Sequence, residues 1–427
     1  MKKVIIIGGG LAGLSAAAHL SKENFKVILL EASPKLGGRA YSFFDEKPQT
    51  EIDNGQHILM GCYSDTLNFL KIIDAYKYLN IQKILEINYL AKDKNHFRLK
   101  APNFTYPLNL LFALFSFKEL NLKEKISLLK LFIKIYFTDS EKLYGMTVQE
   151  WLKKEKQSDK AIRIFWEIIS IGALNTSTER ASAKIFCDIL KEIFWKDKFS
   201  SQIIIPALPL SKTFCEPASD FIKSNGGEVI YSERCTSLEF DDEKVIKVKT
   251  DKNVYEDFDF VVSAIPFYAL EKIIDKNLLD KQPEFHYSSI LNIHLRIKEN
   301  FLQEDFYAFY DSELHWLFNK RTHWNIVISN AEKFMLMGNE EIYAFIITEL
   351  KKFIAISDDD ILLYKIIKEK RATFIPDDFT LKHRPSTETK VKNLFIAGDW
   401  VDTKLPATIE SAVRSGRIAA EKIVFNN

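Results

Sequence analysis

The chain has little cysteine, almost no net charge and no long uninterrupted apolar run. Its four cysteines, Cys62, Cys187, Cys215 and Cys235, lie far apart without CxxC spacing. They read as reduced thiols of an intracellular protein, so neither a disulfide framework nor a zinc site is expected, and a redox thiol pair is the alternative. Basic side chains number 59 against 58 acidic ones, which argues against nucleic acid as a partner. No stretch reaches the roughly 18 apolar residues of a membrane span. The lysine-led start MKKVIII is broken by glycines after Ile7, unlike a signal peptide. HExxH and other metal-ligand spacings are missing among the histidines, so no metal is expected. Internal repeats and low-complexity linkers are missing too.

What is present is a folded chain too long for one core. Its 427 residues call for two domains or one domain with a large insertion. The 47% hydrophobic and 27% charged residues are ordinary for a folded protein, and the lack of linkers points to domains that are interleaved. KKVIII, GGGLAG and LSAAAHLSK read as strand, tight turn and helix, and KVILLE (Lys26 to Glu31) reads as the next parallel strand. From residue 63 helical periodicity takes over, as in LKEKISLLKLFIKIYF and VQEWLKKEKQSDKAIRIFWEIISIGAL, with few strand signals until about residue 200. Strand alternation returns in GGEVIYSERCTSLEF, KVIKVKT and DFDFVVSAIP. SSILNIHLRI, HWLFNK, NIVISN, ELKKFI and IIKEKRATF predict mixed strands and helices forming a second sheet over the site. The segment from VKNLFIAGDW onward reads as strand, loop and long helix. Phenylalanine clusters in 107–117 and 126–137; these helices pack in a core, or form a greasy channel or a membrane-docking surface.

Gly8, Gly10 and Gly13 give G-x-G-x-x-G between the predicted strand and helix. Gly8 makes the turn, Gly10 lets backbone approach a pyrophosphate, and Gly13 permits close helix–sheet packing. The helix opening at Leu11 and Ala12 offers amide donors to the phosphates. Glu31, followed by Ala32, ends the second strand eighteen residues after Gly13, where a carboxylate accepts from both ribose hydroxyls. Gly38 and Arg39, in GGR, offer a flexible turn and a cation for a second approach to the diphosphate. Far along the chain, Gly398 and Asp399 end a strand where they suit the ribityl chain of a flavin. The helix opening near Pro406, Thr408 and Ile409 directs its positive end at whatever precedes it. A nicotinamide dinucleotide has no need of that distant segment, whereas FAD has. The expected fold class is therefore α/β, with a Rossmann-like FAD-binding domain (1–62, 200–284 and 386–427) interleaved with a mixed α+β substrate domain (63–199 and 285–385) containing a helical insertion.

GGGLAG, LGGRA and AGDW resemble the flavin amine oxidase and phytoene desaturase superfamily. More narrowly, DNGQHILMGCY, GALNTSTERASA, EKRATF and AGDWVDTKLPATIESAVRSG are similar to hydroxysqualene dehydroxylases, also called squalene-associated FAD-dependent desaturases, over nearly the whole chain. The resemblance implies reductive conversion of hydroxysqualene, a lipophilic C30 isoprenoid, to squalene in squalene and hopanoid synthesis. It also implies a cytoplasmic enzyme with peripheral contact at the inner membrane and an electron donor that it does not identify. A carotenoid or polyprenoid desaturase and a flavin amine oxidase are the alternative enzymes, and a flavin-binding lipid carrier without chemistry is the alternative class. Leu405, Pro406, Ala407 and Thr408 replace the proline- and glycine-rich flavin loop of phytoene-type desaturases. No cysteine follows Cys235, so the FAD is expected to be noncovalent. By the same resemblance a main-chain contact at Cys235 reaches the adenine, and Ala264 and Pro266 turn the chain back to the FAD.

Asn54, Gly55, Gln56 and His57 form a polar interruption just after GGR, and the resemblance puts them beside the isoalloxazine ring. Gln56 and His57 are the catalytic candidates. His57 either donates a proton to the departing hydroxyl or is a loop histidine bonded to backbone that positions the flavin. His315 and Trp316 either line a substrate tunnel or hold plain sheet positions. Glu410 and Arg414, four apart on the last helix, read as an intrahelical ion pair.

Overall fold

The computed structural model describes residues 1–46, 49–241 and 243–426. Its first strand, β1 (Lys3–Ile7), leads through the glycine turn to helix α1 (Leu11–Lys22) and strand β2 (Lys26–Leu30). β1 is the middle of a parallel sheet in the order Glu228–Ile230, β2, β1, Phe260–Ser263, Leu394–Ile396. Both of its faces are covered, which is why KVIII and KVILL are continuous apolar runs and not alternating ones. The terminal helix, Ile409–Phe425, lies against α1, and the Ser15 hydroxyl donates to the Val413 carbonyl at 2.8 Å.

A second sheet of seven strands runs Ile361–Phe374, Tyr287–Ile297, Trp324–Ser329, Trp316–Asn319, Phe306–Phe309, Glu86–Ala91, Asn95–Lys100. Its neighbours are antiparallel except where 306–309 meets 86–91. ELKKFI belongs to the end of the helix Asn339–Leu350 and the turn after it. Strands at 79–81, 86–91 and 95–100 correct the expectation of an almost purely helical stretch up to residue 200. The hairpin between the last two escapes sequence reading for a physical reason. Asp93 and Lys94 take φ +61° and +60° with no glycine between the strands, so the usual Asn-Gly signal is missing.

The rest of that stretch is helical: α2 (Ser64–Ile72), α3 (Leu108–Ser116), α4 (Leu122–Phe137) and the helices from 148 to 194. α3, α4 and the helices from 148 to 194 share a core with one end of the second sheet, where Phe306, Phe318 and Val327 join Trp151, Trp166 and Phe186, whereas α2 packs into the core of the parallel sheet through Leu67, Phe69 and Leu70. α2 has no cap from its own segment; instead the Glu410 carboxylate accepts from the Asp65 and Thr66 amides at 3.0 and 2.9 Å. Arg414 then bonds both Glu410 and Asp65, so the predicted i,i+4 pair exists within a larger network. No helix among the described residues is long and apolar enough to cross a membrane.

The approach of α1 to the terminal helix depends on Gly416, where a Cβ would lie 2.1 Å from the Ala12 carbonyl oxygen. Gly416→Ala is therefore expected to cost about 2 kcal/mol of stability. Urea unfolding of both proteins measures this, and an unchanged midpoint contradicts the close helix contact.

Candidate functional site

Two glycine turns lie side by side at the carboxyl end of the parallel sheet. Gly8 has φ +105°, a conformation that a side chain resists. A Cβ on Gly13 would sit 1.9 Å from the Gly8 carbonyl oxygen, so the start of α1 is pressed onto the turn. The Gly37 amide donates to the Gly9 carbonyl at 2.8 Å. Beside Gly10 a Cβ would meet nothing closer than the Gly38 Cα at 3.9 Å, which leaves the two backbones open to a ligand. No side chain caps α1, so the first amides, from Leu11 onward, are donors without a helical acceptor. The cradle fits an anionic diphosphate.

Glu31 stands at the end of β2 with both carboxylate oxygens engaged, one by the Gly9 amide at 2.6 Å and one by the Ser33 amide at 2.7 Å. Each oxygen keeps a second acceptor site for a hydroxyl. Ala32 is exposed beside it. The Glu233 amide donates to the Glu31 carbonyl, which brings the start of the strand Cys235–Asp241 alongside. Burial pushes the Cys235 thiol up to about 11, and all four cysteines are free. Ala264 closes the floor, its carbonyl oxygen 3.1 Å from where a Gly8 Cβ would be.

Arg39 joins these turns to the far end of the chain. Its guanidinium bonds Asp399 Oδ1 at 2.6 Å and the Ala372 carbonyl at 2.7 Å. Its own carbonyl accepts from Asn54 Nδ2 at 2.8 Å. Asp399 is buried, and the loop that carries it is held by Arg384, a wholly buried residue that makes no carboxylate hydrogen bond among the described residues. Arg384 donates to the carbonyls of Asp399 at 2.8 Å, Trp400 at 3.3 Å and Val401, and burial lowers its pKa to about 10. Gly398 donates its amide to the Ser415 hydroxyl. Thr408 caps the terminal helix by accepting from the Ser411 amide, and Ile409 is buried in the core, so these two predicted contacts are left with their backbone groups.

The polar interruption 53–57 lies between this cradle and the second sheet. Asp53 accepts from the Ser42 hydroxyl and the Leu210 amide, with Lys320 3.4 Å from its other oxygen. Asn54 is consumed within the loop: it bonds the Arg39 carbonyl on one side and the Tyr41 amide on the other. Gly55 faces Asn292, whose amide nitrogen would be 3.2 Å from a Cβ there. Gln56 Oε1 is buried without a hydrogen-bond partner. His57 is hydrogen-bonded to the Arg39 backbone, and burial lowers its pKa below the ordinary histidine value, so the ring is neutral at pH 7. Immediately beyond, Ile58, Met60 and Tyr63 pack with Ile290 and Trp316 on the helical core. Trp316 also lies against Gly172, which is 3.1 Å away when given a Cβ. His315 is fixed in the sheet, its Nδ1 accepting from the Ser329 amide at 2.9 Å.

Sequence reasoning missed three groups. Arg384 sits in no motif. Tyr268 and Tyr287, stacked on Arg371 near Arg39 and Asp399, are brought in by separate segments. The third carries a readable signal, since ILNIHL alternates apolar and polar residues. Leu291, Ile293 and Leu295 face the helix Asn339–Leu350, and Asn292 and His294 face the loop. His294 and His323 are buried with ring centroids 5.1 Å apart, beside a buried Asn325.

Residues 11–424 match the family model described as flavin containing amine oxidoreductase. A hydroxysqualene dehydroxylase from Zymomonas mobilis is 29% identical, with 97% of each chain covered. A 15-cis-phytoene desaturase from Synechococcus elongatus is 24% identical over 99% of this chain and 96% of its own. Among solved structures, an oxidoreductase from Methanosarcina mazei superposes with a TM-score of 0.76 at 18% identity, covering 98% of this chain and 100% of that one.

Burial drops the pKa of His294 to about 3 and of His323 to about 4, and in both the nearby Lys320 adds to the fall. Below the unfolded value of 6.5 the unfolded chain binds protons that the folded chain refuses, so stability declines as pH falls from 6.5 toward 4. The slope is at most about 1.4 kcal/mol per pH unit for each ring. His294→Gln is expected to flatten the dependence of urea unfolding on pH. Equal slopes in the two proteins would contradict a neutral buried ring.

Proposed function

From the premise that this chain belongs to the flavin containing amine oxidoreductase family, we propose that it removes the hydroxyl of hydroxysqualene reductively to give squalene. The protein is a flavin-dependent oxidoreductase; FAD, held without a covalent bond, is the proposed form. The glycine turns and the α1 amides hold the diphosphate, Glu31 the ribose, and the backbone near Cys235 and Ala264 the adenosine side. Gly398, Asp399 and the start of the terminal helix hold the ribityl end. This assigns cofactor binding to 1–62, 200–284 and 386–427, and the substrate to 63–199 and 285–385.

One observation carries the substrate reading. A short polar pair, Gln56 and His57, is followed directly in the chain by Ile58, Met60 and Tyr63, half-buried apolar side chains that pack on the same core as Ile290 and Trp316. A long hydrocarbon with a single hydroxyl matches that distribution, whereas an amine substrate calls for more polar contacts. The full-length likeness to a hydroxysqualene dehydroxylase supports it. When bound in its fully reduced form, the flavin would supply a hydride to the carbon and a proton to the departing hydroxyl, which leaves as water while the flavin is oxidised. Gln56 Oε1, buried and unpaired, accepts from the substrate hydroxyl and orients it. His57, neutral and tied to the Arg39 backbone, keeps Gln56 and Gly55 in place, and the apolar walls exclude water. His57 is thus a positioning residue in this proposal.

Purified holoprotein with reduced flavin and hydroxysqualene is expected to yield squalene by mass spectrometry. A lengthened polyene or amine-dependent peroxide, without squalene, assigns the chain to its desaturase or amine oxidase relatives. His57→Ala is expected to retain the flavin absorbance and to lose about a hundredfold in turnover, with His57→Asn recovering part of the loss and the pH profile of kcat/KM unmoved. A profile that falls as pH rises in the wild type and flattens in His57→Ala would make His57 the proton donor instead.

A further inference from the structure

We propose that the outer face of α3 and α4 is a docking surface for an anionic lipid bilayer. Nine of the 23 exposed large apolar side chains among the described residues fall within residues 104–137. On α4, Leu128, Leu131 and Ile135 are buried and define the side that faces the core. At about 100° per residue, Leu122, Ile126, Ile133 and Phe137 lie on the opposite side. They are 63%, 40%, 49% and 78% exposed. A helix that only closed a core would be polar there. α3 repeats the pattern: Ala113 and Leu114 are buried, while Leu108, Phe112 and Phe115 are exposed. Lys125 Nζ donates to the Phe115 carbonyl at 2.8 Å, which fixes the two helices as one surface, and Phe104 extends it by packing edge-on against Phe112.

Charge selects the occupant. Lys123, Lys130 and Lys134 border the apolar stripe on one side of α4, and among the described residues only Lys134 has an acidic partner, Glu155 at 2.6 Å. α4 carries four lysines against one acid, Glu124, and that carboxylate is occupied by the helix cap and by Ser158. The chain as a whole has a formal charge of only +1, so the excess is local. A second copy meeting this face across a two-fold axis would oppose the same lysines to each other. Anionic headgroups neutralise them while the acyl boundary takes the apolar stripe. The same helical core continues inward to Trp316 and Tyr63 beside the loop. Delivery of a C30 substrate from the bilayer along that route rests on the hydroxysqualene reading; attachment to lipid does not.

Flotation of the holoprotein with vesicles of phosphatidylcholine, with and without phosphatidylglycerol, tests the surface. Binding is expected on the anionic vesicles and is expected to weaken with salt. Lys123→Gln and Lys130→Gln should each weaken it about fivefold. Phe112→Ser with Ile126→Ser should abolish it, with flavin absorbance and thermal midpoint retained. No flotation on anionic vesicles, equal binding by wild type and variants, or a dimer that the Phe112/Ile126 variant dissolves would overturn the proposal. Turnover of detergent-dispersed hydroxysqualene, measured on the same samples, reports separately on the proposed activity: its loss with flotation intact leaves the surface standing.

Discussion

The site depends on Arg39 being held at both of its ends. Its guanidinium is clamped between the Asp399 carboxylate and the end of a long strand, and its carbonyl holds the side chain of Asn54. Asp399 is almost wholly buried, a place where an ionised carboxylate without a partner would be costly. The ion pair therefore fixes three remote segments, around 39, 372 and 399, relative to one another. The loop with Gln56 and His57 is positioned through the carbonyl side of the same residue. Geometry at the candidate chemistry is thus set by one side chain whose own placement comes from a glycine turn.

Around that clamp the interior is unusually polar on one face of the second sheet and unusually apolar on the next. Asn292, His294, His323 and Asn325 are buried where the sheet meets the loop 53–57, and the histidines avoid the cost of burial by staying neutral. A few residues further along, the same face continues as Val327, Phe318 and Phe306 against the helical core. The change from polar to apolar occurs between neighbouring positions of the same strands, Asn325 and Val327 on one and Asn292 opposite Val327 on the next.

Elements whose signals are local were legible in the sequence. β1, the glycine turn, α1 and the acid ending β2 follow from spacing alone, and the parallel sheet follows from continuous apolar runs. The hairpin at 86–100 was not legible, because its turn reaches positive φ with Asp93 and Lys94 and without glycine. Nor was Arg384, since a buried guanidinium that binds successive carbonyls leaves no periodic trace. Glu410 was read as the partner of Arg414, which it is; its larger role, capping α2 from 344 residues away, belongs to tertiary structure. Asn54 looked like a ligand-binding residue, yet its side chain is spent inside the loop. The candidate site was visible as a place in the chain, while the division of labour among its residues came only with the fold.

The arrangement of the parallel sheet bears on how the protein is made. β1 is synthesised early, but its neighbour on one side is Phe260–Ser263, and the strand beyond that is Leu394–Ile396. α1 waits equally long for the terminal helix, and α2 for the carboxylate of Glu410. During translation the amino-terminal βαβ unit consequently emerges with an open strand edge and an uncovered helix face, the kind of surface that invites misassembly. The parallel sheet and its helix pair are therefore completed only once residues 394–425 have left the ribosome.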